Sequence, residues 1–350
     1  MLKSSFIKDG IIIFCQAPAD IAYVLSLYEL YQKEKEISIF VINVENVYKF
    51  IKSLNLKLSS LVFIPYTLKS LKNPLDIILQ RKRIEGLKKK YFNSVIDSNV
   101  YYFSRFEDWL TASFLKSLSK KNTIYYHDHY DFSSKLYSKQ KQNFKLTILK
   151  FIYFLLTDVA FKVNIVEKLP EFNYKKYGIK KQVPVLDKNI FKKYGYEIKM
   201  EKLSQPIVLL FISPCDPLIY ESKTHDHIQF NIIKLFKDNN WKVAVKGHPR
   251  LGVPENISNL IDTQIPSYIP AEFLQLNNIS FCSGIITAAL AHFALNTEIK
   301  TYSLINLFQF KQDNLSNVYK DYLLRLSQNK IMFFQDYNDF EKKINQRNFI

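Results

Sequence analysis

The opening of the chain sets a rhythm that the rest repeats. An apolar run of strand length, Ile11 to Gln16, is followed by Asp20, placed to cap a helix. In that helix Ile21, Val24, Leu25, Tyr28 and Tyr31 recur at helical spacing. The same alternation predicts strands at Ile37–Val44, Leu61–Pro65, Val100–Phe103 and Ile124–Tyr126, with helices at Val47–Leu54 and Trp109–Leu118. Strands alternating with helices imply a parallel sheet with helices on both faces. From Lys168 to Pro206 the periodicity fades and Pro170, Gly178, Pro184 and Gly195 intrude, which places a boundary there. A second series follows, with strands at Ile207–Ile212, Trp241–Lys246, Ser280–Cys282 and Thr301–Leu304, and helices at His225–Asp238, Tyr268–Gln275 and Thr287–Leu295. The expected fold is α/β. Two doubly wound Rossmann-like domains, residues 1–183 and 207–350, are joined by a linker over 184–206 and face a central cleft.

Composition narrows the chemistry. Seven glycines in 350 residues fit neither G-x-G-x-x-G nor G-x-x-x-x-G-K-[ST], which excludes the common dinucleotide and P-loop cradles. Cys15, Cys215 and Cys282 are widely spaced in apolar contexts, as reduced thiols of a cytoplasmic protein are. Lys and Arg number 49 against 32 acids, a net charge of +17 that invites polyanions. The abundance of Lys, Asn, Ile, Phe and Tyr is also what AT-rich coding imposes, so both readings stand. Gln80–Lys90, with Arg81, Lys82, Arg83, Lys88, Lys89 and Lys90, reads as a solvated helix face or as a docking patch for anionic lipid. It lacks aromatic-basic interleaving and any recognised nucleic-acid module, so nucleic acid is not an expected partner. Nothing at the N-terminus directs export. Leu146–Val163, interrupted by Lys150 and Asp158, and Ile279–Leu295, interrupted by His292, fall short of a membrane span and are expected to be buried helices, with surface attachment an option for the first. The expected location is cytoplasmic, with peripheral contact with the anionic inner membrane as an option.

Candidate chemistry gathers in the second half. Lys246-Gly247-His248-Pro249-Arg250 follows an apolar strand, so His248 emerges where open α/β sheets place ligands. Lys246 and Arg250 beside it form a cationic nest suited to phosphate or carboxylate. In Ile265–Leu274, Glu272 is the only acid in an apolar helix start. There it could accept hydrogen bonds from ribose hydroxyls or merely complement a helix dipole. Ser283-Gly284-Ile285-Ile286-Thr287 runs from a strand into an Ala-rich helix, whose first amides, with the Ser283 and Thr287 hydroxyls, suit phosphate. Ser213, after the strand Ile207–Ile212, is counted with these donor-binding residues. His-Asp-His occurs at 127–129 and again at 225–227. His127 and His129 would share one side of a strand, but no third ligand is predictable and no metal is expected.

Lys-x-His-Pro-Arg, then Ile-Pro-x-Glu-x-Leu, then a Ser/Thr-containing strand-to-helix turn resembles the C-terminal lobe of bacterial sialyltransferases, of both the lipooligosaccharide and the capsule polysialyltransferase type. The opening Ile11–Asp20 is similar to their first strand and loop. The resemblance implies a GT-B-like, metal-independent, inverting transferase using CMP-sialic acid, without a cofactor, on a cell-surface glycan. His248 would then act on the leaving CMP phosphate as acid or charge stabiliser, Glu272 would bind ribose, and Ser283 and Thr287 would bind phosphate. The family's N-lobe pair of acids before Gly is matched only by Tyr126-His127-Asp128-His129-Tyr130-Asp131, with His127 and His129 replacing one acid and the Gly. Asp128 is the candidate base and Asp131 the reserve. Another CMP-activated acidic sugar (Kdo, legionaminic or pseudaminic acid) is the alternative donor. A non-catalytic basic protein binding anionic membrane or nucleic acid is the alternative of another class.

Overall fold

The computed structural model describes residues 7–66, 74–103, 109–127, 144–159, 161–163, 170–172, 174–183, 185–200, 205–217, 219–249 and 251–346. The chain divides into two compact units, Met1–Ile190 and Phe191–Ile350. The first holds a six-stranded sheet of β1 (Ile11–Cys15), β2 (Ile37–Ile42), β3 (Ser60–Ile64), β4 (Asn99–Phe103), β5 (Thr123–His127) and β6 (Lys180–Gln182). The second holds β7 (Ile207–Ile212), β8 (Lys242–Gly247), β9 (Thr263–Ile265), β10 (Phe281–Gly284), β11 (Lys300–Ser303) and β12 (Met332–Phe333). Their orders are β6-β5-β4-β1-β2-β3 and β9-β8-β7-β10-β11-β12. Every pairing in both sheets is parallel. Counted within each unit, both orders are 3-2-1-4-5-6, the doubly wound Rossmann arrangement. The expected α/β fold with two such sheets is the observed one.

Strands covered on both faces explain the continuous apolar runs: all of β1 and β2 is buried, Ser38 included. Helices α3 (Pro74–Phe92), α4 (Trp109–Leu118) and α5 (Phe144–Thr157) cover one face of the first sheet. There Ile84, Phe92, Leu110, Phe114, Tyr153 and Leu156 share a core with Phe14, Phe40, Ile64, Tyr102 and Tyr126. Ile11, Ile13 and Cys15 alternate to the opposite face. Helix α1 (Ile21–Tyr31), which follows β1, buries Val24, Leu25 and Tyr28. In the second unit α6 (Ser222–Asp238) and α9 (Tyr337–Asn345) pack Ile233, Phe236, Phe340 and Ile344 around Trp241 and Phe281. The ring of Phe236 lies 5.6 Å from both Trp241 and Phe281.

Four local expectations are corrected. Asp20 does not cap α1. Its carboxylate turns back to accept the amides of Gln16 at 2.7 Å and Ala17 at 2.9 Å, fixing the turn at the carboxyl end of β1. Tyr268–Gln275 is not an α-helix, because Pro270 disfavours helical backbone at Ile269 and is itself extended, at ψ 143°. The segment forms a short 3-10 turn, Ala271–Phe273, and a two-residue strand, Leu274–Gln275. Residues 184–206 are more than a connection: they contain the helix Asn189–Lys193 and the strand Tyr196–Glu197, which pairs with Leu274–Gln275. Leu146–Val163 is not wholly buried, since Ile148, Phe151 and Phe154 of α5 face outward and Phe161–Val163 is a strand. Among the described residues no helix is long and apolar enough to cross a membrane.

Candidate functional site

In the second sheet the chain works outward from β7 through β8 to β9, then returns to the other side of β7 and continues through β10 to β12. The change of direction falls between β7 and β10, and a doubly wound sheet opens a crevice at the carboxyl ends of such strands. Register brings the sequence candidates to that edge. Gly247 stands opposite Ile212, and Gly284 stands opposite Phe211 on one side and Ser303 on the other. The segments that begin at Ser213, His248 and Ile285 therefore leave the sheet at nearly one level. The half-buried Ser213 is anchored through its carbonyl, which accepts from Gln229 Nε2 at 2.9 Å.

Gly247 is required where it is. A Cβ there would come within 2.7 Å of the Gly252 carbonyl oxygen, because Gly252 returns to pair with His248. The loop is closed by two backbone bonds, His248 N–H to Gly252 O at 3.1 Å and Gly252 N–H to His248 O at 2.8 Å, with Gly252 at φ +75°. His248 and Pro249 are exposed on it. The backbone N–H of Leu251 donates to His248 Nδ1 at 3.3 Å. An imidazole that accepts at Nδ1 is neutral and carries its proton at Nε2, and this bond is the basis for assigning that tautomer. Arg250, expected to complete the cationic nest, lies outside the described residues, as do Asp128 and Asp131.

Lys246 does not face the edge with His248. It is buried, and its ammonium donates to the carbonyls of Gly247 at 3.1 Å and Ser267 at 3.2 Å, tying the end of β8 to the loop after β9. Burial lowers its pKa to about 8, while the charge of Glu272 pulls it back up. Burial likewise raises the Glu272 carboxyl above the usual range, against its own backbone amide and the charge of Lys246. Lys246 at the end of β8 and half-buried Glu272 on the turn after β9 thus feel each other's charge. Because Glu272 stands on a 3-10 turn, no long helix dipole accounts for it.

Ser283 lies within β10, fully buried, and its hydroxyl donates to the carbonyl of Tyr302 on β11 at 3.0 Å. That leaves Gly284 and Thr287 as the residues of this turn at the strand's end. Gly284 sits against Phe211, whose Cβ would be 2.8 Å from an added methyl. Thr287 is the N-cap of α7 (Ala288–Asn296), its hydroxyl accepting the Ala289 amide at 3.3 Å. Two histidines outside this edge have structural partners. His127 Nε2 meets Gln182 Oε1 at 3.1 Å on the adjoining strand, and buried His225 packs between Tyr220 and Phe308 with Nδ1 2.9 Å from Asp226. Among the described residues no group of three or more His, Cys, Asp or Glu could hold a metal ion. The site residues that sequence reasoning missed are backbone groups, the Leu251 amide and the Ser267 carbonyl. Gly252, five residues after Gly247, was the signal for the first.

No family model matches the chain, and no curated protein matches it. Solved structures similar to it include the spinosyn rhamnosyltransferase SpnG complexed with spinosyn aglycone, at 10% identity over 96% of this chain and 90% of that one, TM-score 0.43. Another is the glycosyltransferase VinC in complex with dTDP, at 10% identity over 97% and 100%, TM-score 0.41. A third is the UDP-GlcNAc 2-epimerase of Methanocaldococcus jannaschii in complex with UDP-GlcNAc and UDP, at 12% identity over 97% and 92%, TM-score 0.43. Likenesses of this size do not decide a family, and the fold rests on the two strand orders above.

Proposed function

We propose that the protein is an inverting glycosyltransferase of the two-lobed GT-B type that moves sialic acid from CMP-sialic acid to a hydroxyl of a cell-surface glycan. The observation that carries the reading is His248. It is exposed at the carboxyl end of β8, held by its own loop, with Nδ1 engaged so that Nε2 is the donor. The anomeric carbon of sialic acid carries a carboxylate, so departure of CMP passes through an oxocarbenium-like state and the main demand is to steady the departing phosphate. In this reading Nε2–H of His248 donates to that phosphate, and the Ala288 amide that opens α7 assists it together with the Thr287 O–H. Glu272, in the field of the Lys246 charge, accepts hydrogen bonds from the ribose hydroxyls, while Ser213, Pro249, Arg250 and Gly284 shape the donor pocket; Ser283, whose hydroxyl is committed to the Tyr302 carbonyl, is not a phosphate ligand. Asp128, or Asp131 in reserve, takes the acceptor proton, a role that rests on the family resemblance. No cofactor enters the scheme.

The test is release of CMP from CMP-sialic acid in the presence of a glycan array, with the sialylated glycan identified by mass. Turnover of CMP-Kdo, CMP-legionaminic or CMP-pseudaminic acid in its place would move the donor to the alternative class. Release no faster than in buffer with every donor, alongside tight binding of DNA, would replace the enzyme with a nucleic-acid binder.

A further inference from the structure

Of the eleven large apolar side chains that the described residues leave exposed, six lie on two neighbouring helices of the first unit. They are Leu75 (68% exposed), Ile78 and Leu79 on α3, and Ile148, Phe151 (60%) and Phe154 on α5. The two helices touch and bury their inner sides in the same core over one face of the sheet, so their outer sides belong to one surface. On α5 the three exposed residues recur every third position, as one outward stripe. On α3, positions 75, 79, 82, 86 and 89 fall within about 40° of a single line at 100° per residue. That line therefore begins apolar and ends in Lys82 and Lys89, with Lys90 beside it, all exposed.

We propose that this surface docks the protein onto the headgroup region of an anionic lipid bilayer, with the α3 and α5 side chains entering the acyl boundary and Lys82, Lys89 and Lys90 meeting the lipid charge. Charge chooses this occupant over a second copy of the chain. Two copies placed face to face would bring their lysines together in a protein already at +17, whereas an anionic surface neutralises them. The acids nearby are already compensated: Glu85 pairs with Lys88 at 2.7 Å and Asp158 with Lys116 at 2.6 Å, and Asp76 is half-buried in the first turn of α3. At fourteen residues α5 is too short to span a bilayer, which takes about 20, and lies on the surface instead.

Flotation of the full chain with vesicles, without donor or acceptor, tests this apart from any transfer reaction. Phosphatidylcholine vesicles with about 30% phosphatidylglycerol should carry the wild type, and phosphatidylcholine alone should carry far less. Ile78→Asp with Phe151→Asp, and separately Lys82→Glu with Lys89→Glu and Lys90→Glu, should each cut partitioning at least about tenfold with no change in melting temperature, since all these side chains are exposed. Equal flotation with both vesicle types overturns the proposal. So does wild-type partitioning by the aspartate pair, which would leave only charge attraction. A dimer in size-exclusion chromatography that Phe151→Asp splits would give the surface to a second copy.

Discussion

The backbone N–H of Leu251 points at Nδ1 of His248 from 3.3 Å, so a loop residue three positions on sets which nitrogen of the imidazole carries the proton. A second proton on Nδ1 would face that N–H, and the loop would lose the bond. In the proposed reaction this bond would leave Nε2 as the nitrogen through which the ring donates.

His248→Ala should lower transfer about a hundred- to thousandfold, the effect of removing one donor from a developing negative charge, with donor binding by calorimetry little changed. His248→Gln, which keeps an N–H near the Nε2 position, should recover at least about tenfold of that loss. Wild-type kcat/KM should not fall as pH rises from about 6 to 8, as it would for an imidazolium acid. A decline over that range would restore the acid role.

Asp128→Asn keeps shape and hydrogen bonding but cannot accept a proton. It should reduce transfer at least about a hundredfold while calorimetry records near-normal CMP binding. Normal transfer by Asp128→Asn together with loss in Asp131→Asn exchanges the two roles. Activity in both variants passes the role to a neighbouring histidine.

Lys246→Met keeps the buried stem but strands the Gly247 and Ser267 carbonyls and leaves Glu272 without its cation. Each unsatisfied buried group costs about 1–3 kcal/mol, so the variant should melt several degrees lower, and its KM for donor should rise more than its kcat falls. A variant as stable as wild type with unchanged KM removes Lys246 from the site's support.

Burial between Phe191 and Phe293 lowers the pKa of His292 to about 4. A base whose folded pKa lies below its unfolded value binds fewer protons when folded, so stability rises with pH across the interval between the two. The contribution is complete above the unfolded value, about 6.5, and is lost as pH falls toward 4. The lowered carboxylates Asp158, Asp262 and Asp339 act below their ordinary 3.8, whereas the raised Glu272 carboxyl opposes the trend above 4.5, so the histidine is read from the difference between wild type and His292→Leu. Urea midpoints of wild type should drop between pH 6.5 and 4, and those of His292→Leu should stay flatter. Parallel curves would contradict the assignment.

Transfer activity should survive excess EDTA, because protein donors and cations alone serve a single leaving phosphate in the proposed scheme. Loss that Mg²⁺, Mn²⁺ or Zn²⁺ restores would bring His127 and His129 back as ligands.

Strands buried on both faces declare themselves as apolar runs, which is why β1 was legible to within a residue of Cys15 and the periodic helix Trp109–Leu118 to its ends. Where a local pattern served two ends, the reading failed. Tyr268, Ile269, Phe273 and Leu274 have helical spacing, but Pro270 decides the backbone. Asp20 has the chemistry of a cap, but the amides of Gln16 and Ala17 behind it are the nearer donors. The partner of the Ser283 hydroxyl is a carbonyl nineteen positions on, across a strand pairing that no local window contains. The outward stripe of α5 was hidden because apolar residues fall on all sides of that helix, and which side meets water depends on how the other helices cover the sheet.

The shared strand order fixes how each sheet is assembled in time. In both units the first of the six strands made, Ile11–Cys15 and Ile207–Ile212, is a central one, so it leaves the ribosome with both hydrogen-bonding edges open. One edge is closed by the strand that follows, Ile37–Ile42 or Lys242–Gly247. The other waits for Asn99–Phe103 or Phe281–Gly284, some seventy to ninety residues later. Closing such distant parallel pairs is slow, and until it happens an apolar edge is open to other chains. Aggregation during synthesis should therefore be governed by the interval before the fourth strand emerges, and chaperone-binding peaks on stalled nascent chains should fall there and nowhere else.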